Sequence, residues 1–98
     1  MKEVPYFWAD ATFLLGAVLF DRGMAKEAEP YLIDSFRTSR DKLGAQNVRT
    51  LRVLPLLVTT YDALARPSDV ERYRALMPDS MRTRVDSVRR AAAASVSK

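Results

Sequence analysis

Residues 12–32, TFLLGAVLFDRGMAKEAEPYL, decide how this chain folds. Thr12-x-x-Leu15-Gly16-x-x-Leu19 comes first, then Gly23, then Ala28-x-x-x-Leu32. The apolar residues recur at helical spacing, without the strict alternation of a half-buried strand. Gly23 separates two helices, and small residues at Gly16 and Ala28 let those helices approach closely. Leu15, Leu19 and Leu32 are expected to fill the space around that contact. The unit is an antiparallel helical hairpin.

The rest of the chain follows the same rhythm, punctuated sparsely by Gly and Pro. The first helix is expected from about Pro5, a favourable first-turn residue, to Phe20. The second should run from about Ala25 to Leu43 and end at Gly44 in a left-handed cap. A third, capped by Asn47, should reach Leu64 with a kink or break near Val53, because Pro55 lacks a donor and crowds the preceding turn. Ser68 and Glu71 have the spacing of a capping box, so a fourth helix is expected from Ser68 to Met77. A last helix, capped by Asp79 or Ser80, places Met81, Val85, Val88, Ala92 and Val96 on one side and Arg82, Arg84, Arg89 and Arg90 elsewhere. The expected class is all-α, a single domain of two hairpins, about residues 6–44 and 47–78, closed by a helix over 79–96.

A shift of 42 residues superimposes Leu15 on Leu57, Glu29 on Glu71 and Tyr31 on Tyr73, and it brings both turns and both helix pairs into register. It also sets Gly16 on Val58, Leu19 on Tyr61, Gly23 on Ala65 and Ala28 on Val70. This pattern resembles the tetratricopeptide repeat, with Thr12 in place of the usual aromatic residue and Leu32 in place of the usual Phe. LLGAVLFDRGMAKEAEPYL and LARPSDVERYRALMP are similar to the longer-period variety of kinesin light chains. They are similar also to repeats at the C-terminal end of bacterial serine/threonine kinases, where a Trp precedes the Leu-Gly as Trp8 does here. Val58, Ala65 and Pro55 depart from the pattern. The resemblance implies an α-solenoid fragment of about five helices whose concave groove binds peptides. On that basis Asp10, Phe13, Ala17 and Phe20 of the first helix, and Arg52, Pro55, Thr59 and Asp62 of the third, would line the groove.

Composition narrows the function. The 98 residues include no cysteine and no histidine, which removes disulfides, thiol chemistry, zinc sites built on those ligands and histidine acid–base catalysis. Glu27, Glu29, Asp69 and Glu71 stand where they complement helix N-termini, not as an acid–base pair. Three scattered glycines make no phosphate loop, and the Gly-rich, HRD and DFG motifs of a kinase are missing. The expected role is therefore non-catalytic, without metal, cofactor or small-molecule substrate.

The partner is expected to be a polypeptide, or a second copy of this chain joined through Tyr6, Phe7 and Trp8, which have no preceding repeat to cover them. A regulatory repeat segment of a bacterial kinase signalling system is an alternative, and a small basic nucleic-acid-binding protein is another. The net charge of +4 collects at the C-terminal end: residues 1–49 balance, whereas residues 72–98 carry seven Lys or Arg against Asp79 and Asp86. No aromatic residue follows Tyr73 to stack on bases, so nucleic acid is not the expected partner. No apolar run reaches the roughly 18 residues of a membrane span, and Asp10 interrupts the N-terminal apolar stretch, which reads as mature helix and not as a leader. A cytoplasmic location is the expectation.

Overall fold

The computed structural model of the chain describes residues 5–96, with side chains from Phe7 to Ala94. Tyr6 and Val96 therefore lie outside the described side chains. The protein is all-α: α1 (Pro5–Asp21), α2 (Ala25–Leu43), α3 (Val48–Leu51), α4 (Val53–Ala63), α5 (Pro67–Arg74) and α6 (Asp79–Val96).

Close backbone approach builds the first hairpin. Ala9 and Ala28 are fully buried, and Ser35 donates from its hydroxyl to the Ala9 carbonyl at 2.8 Å. A Cβ built on Gly16 would stand 2.5 Å from Leu32 Cδ2, so glycine is the residue that lets Leu32 seat against α1. The Trp8 indole donates to Asp34 at 2.9 Å and ties the start of α1 to α2. Leu15 does not share in this contact. It is 44% exposed, because the face of α1 turned to α2 is made by Ala9, Thr12 and Gly16.

Pro55 explains the interruption between α3 and α4. The helix stops at Leu51 and restarts at Val53, which moves Pro55 into the first turn of α4, where its missing N–H has no carbonyl to lose. Asn47 caps α3 by accepting from the Arg49 N–H at 2.9 Å. Two starts and stops differ from the sequence expectation. Ser68 does not cap α5: Pro67 is the first helical residue, a proline restricts the residue before it to non-helical backbone, and Arg66 accordingly stands at φ −118° as the cap. The helix also closes at Arg74, short of Met77. Gly44 has a positive φ of 102°, but its ψ of 157° belongs to a glycine-only extended region and not to a left-handed cap.

The core lies where α2 packs on α4 and α5. Leu32, Val53, Leu54, Leu57 and Val58 are buried beneath a ring cluster in which Tyr73 stacks on Tyr61 and meets the edge of Phe36, each at 5.7 Å between centroids. The Tyr61 hydroxyl donates to Glu29 at 2.6 Å, and burial together with that carboxylate raises the Tyr61 phenol well above its ordinary range.

The 42-residue period is reproduced in the backbone. At the end of α1, Gly23 N–H donates to the Phe20 carbonyl at 2.9 Å and Met24 N–H to Leu19 at 2.9 Å. At the end of α4, Ala65 N–H donates to Asp62 at 3.1 Å and Arg66 N–H to Tyr61 at 3.0 Å. Both are Schellman closures, which need a residue with positive φ. Gly23 supplies it at 79°, whereas Ala65 is forced to 58°, at a cost of roughly 1–2 kcal/mol for a residue with a Cβ. Part of that is returned by alanine's smaller unfolded-state freedom. Ala65→Gly should therefore raise the unfolding free energy by about 0.5–1 kcal/mol, and Gly23→Ala should lower it by a similar amount. Urea titration of both variants tests the pair. A destabilised Ala65→Gly would show that the turn carries no strain.

Candidate interaction surface

The residues expected to line a groove divide into two groups. Asp10, Phe13 and Arg52 form a clamp between the first hairpin and the α3–α4 junction. Asp10 accepts from Arg49 Nε at 3.0 Å and also from Arg52, whose guanidinium lies 4.3 Å from the centre of the Phe13 ring. The hydrogen bond from Arg49 holds the Asp10 carboxyl below its usual range against some desolvation, with further help from the Arg52 charge. Ala17 and Phe20 lie half-buried on the same side of α1, and Phe13 and Phe20 pack against the core.

Thr59 and Asp62 belong elsewhere. With Pro55 and Ala63 they form one wall of a trough between α4 and α6, whose other wall is Met81, Arg84, Val85, Val88, Arg89 and Ala92. One end is a largely apolar cleft of about 270 Å³ bounded by Pro55, Thr59, Met81, Val85 and Val88. It continues past Thr59, Val88 and Arg89 toward Ala63 and Ala92. The Thr59 hydroxyl turns back onto the carbonyls of Pro55 and Leu56, at 3.1 Å each, and so is satisfied by the backbone.

Ion pairs set the width of the trough. Arg89 of α6 grips Asp62 of α4 through two hydrogen bonds of 2.6 and 3.0 Å, and Arg74 of α5 holds Asp86 of α6 at 2.9 Å. The hydrogen bond from Arg74 lowers the Asp86 carboxyl, and the one to Asp62 raises Arg89, so both pairs stay charged near neutrality. Only Val85 of the α6 stripe is buried. Met81 is half-buried and Val88 is 59% exposed, so the stripe expected to cover the second hairpin is in large part open to the trough.

A second apolar surface lies on α1, on the side away from α2. Phe7, Trp8, Leu14, Leu15 and Val18 are exposed there, including Phe7 and Trp8 of the expected self-association end. Among the described residues no three acidic side chains gather as a metal site would require, and no helix is long and apolar enough to cross a membrane. Comparison of the chain with protein-family models, with curated proteins and with solved structures returns no match.

Proposed function

We propose that this chain is a non-catalytic interaction module that holds an apolar segment of another polypeptide, flanked by acidic residues, in the trough between α4 and α6. The observation that carries the reading is the apolar lining of that trough, left open on a helix whose position is fixed by charge pairs on either side. Val88, Val85 and Pro55 offer the kind of apolar pocket in which a partner's anchor side chain is desolvated. Arg84 is exposed on the rim and makes no ion pair among the described residues, which favours a partner carrying carboxylates beside its apolar anchor. The tetratricopeptide resemblance agrees with a peptide-binding role, and the recurrence of the turn hydrogen bonds at 42 residues supports a true repeat. A polyanion partner is less well served, because Arg82 and Arg89 of α6 are engaged by Asp79 and Asp62.

Selection of random 12- to 16-residue peptides by display on phage against the immobilised chain tests the reading. The enriched sequences should share Leu, Ile, Met or aromatic anchors next to Asp or Glu. Val88→Glu should weaken the best of them by at least about tenfold, or about 1.4 kcal/mol. Enrichment of peptides that bind wild type and Val88→Glu equally would remove the trough from the mechanism.

A further inference from the structure

We infer that the outer face of α1 is a self-association surface, on which α1 of a second copy packs antiparallel. The repeat itself identifies the face. Trp8, Ala11, Leu15 and Val18 occupy the positions that Thr50, Val53, Leu57 and Thr60 hold one period later, and Tyr31 corresponds to Tyr73. In the second unit all of these are buried, on the side of α3 and α4 where α2 packs. In the first unit the same positions are open: Trp8 is 55% exposed, Leu15 44%, Val18 50% and Tyr31 39%, with Phe7 at 70% and Leu14 at 61% beside them. A face that receives a helix in one unit therefore stands without one in the other.

Three observations select a second copy as its occupant. The far end of the molecule is closed by α6 through Val85 and the Arg74–Asp86 pair, so copies cannot stack head to tail, and the remaining arrangement is two-fold, face on face. Residue size along the stripe is self-complementary in the antiparallel sense. Trp8 meets Val18 of the second copy, and Ala11 meets its Leu15, so a large side chain faces a smaller one at every level. The area also suffices. The exposed fractions of these side chains, at the 150–250 Å² that an aromatic residue can bury, give roughly 600 Å² per copy and about 1,200 Å² in all, the lower bound for a stable interface. No charged residue lies on the stripe to oppose the pairing, and the Trp8 indole is already fixed by its hydrogen bond to Asp34.

The proposal shares with the trough only the view of the chain as an interaction module, and the two fail separately. Sedimentation velocity on the full chain from about 1 µM to 1 mM should show a monomer giving way to a dimer. The emission of Trp8, the only tryptophan, should shift to the blue over the same range. Leu15→Glu should be monomeric throughout, with unchanged helicity, since the position is exposed, and with unchanged capture of trough-binding peptides. The chain has no cysteine, so Ala11→Cys and Leu15→Cys, made separately, read the register. Oxidation of their mixture should give disulfide-linked pairs several-fold faster than either variant alone, because residues four apart on a helix are displaced by about 6 Å along it. A wild type that stays monomeric at 1 mM, a Leu15→Glu variant that still dimerises, or cysteine variants that link fastest to themselves would each overturn the proposal.

Discussion

Phe36→Ala is expected to lower the unfolding free energy by about 3–5 kcal/mol, a large fraction of the 5–15 kcal/mol that a domain of this size has available. Phe36 is 4% exposed and stands where the two hairpins meet. Its ring abuts the edge of Tyr73, Tyr73 stacks on Tyr61, and the Tyr61 hydroxyl reaches back to Glu29 on the helix that carries Phe36. The Arg40 guanidinium covers its outer face at 5.4 Å from the ring centre. Truncation would leave a cavity at the junction, deprive Tyr73 of its edge contact and loosen α2 from α4 and α5. Because the hairpins share this core, the variant should lose both together in one transition of reduced midpoint. Phe36→Leu, which keeps most of the volume, should cost less than half as much. Urea denaturation followed by far-ultraviolet circular dichroism measures both. A loss below about 1 kcal/mol for Phe36→Ala would mean that the hairpins are held by the surface ion pairs and not by the rings.

Local chemistry explains which features could be read from the sequence. Pro5, Gly23 and the break before Pro55 act on the backbone within a few residues, and the helices begin and end where those residues require. The cap at Ser68 was misjudged for a local reason too: Ser68 and Pro67 both favour a helix start, and proline, with φ already set, takes the first helical position. Faces were harder. α1 is apolar on nearly every side, so periodicity could not say that Leu15 turns outward while Phe13 lies under Arg52. The trough was legible only in half, through Thr59 and Asp62. Its other wall depends on where α6 lies, and that is set by Arg74–Asp86 and Arg89–Asp62, pairs 12 and 27 residues apart that leave no trace in a periodic pattern. The stripe of Met81, Val85 and Val88 has the appearance of a core face in sequence, and only the placement of α6 shows that Val85 alone is buried.

Gly16→Val is expected to cost about 3 kcal/mol, although valine fills the equivalent position of the second unit without strain. At residue 16 a Cβ alone would lie 2.5 and 2.7 Å from Leu32 Cδ2 and Cγ, and 3.4 Å from the Leu32 backbone nitrogen. Leu32 is fully buried and has no free space to move into, so α1 and α2 must separate to admit the branched side chain. The second unit avoids the conflict by its own pairing. Val58 stands 42 residues after Gly16, and the residue 42 after Leu32 is Arg74, whose head group leaves the hairpin to bind Asp86 on α6. Each hairpin thus sums to a similar volume by different means: glycine with leucine in the first, valine with a long arginine stem in the second. The two positions should therefore couple. Leu32→Ala alone should lose about 2–5 kcal/mol by opening a cavity. Combined with Gly16→Val it should lose at least about 1 kcal/mol less than the two single losses added together, because each change supplies what the other lacks. A double-mutant cycle from urea midpoints measures the coupling directly. Strict additivity would show that Gly16 is required for its backbone alone and that the contact with Leu32 does not set the spacing of α1 and α2.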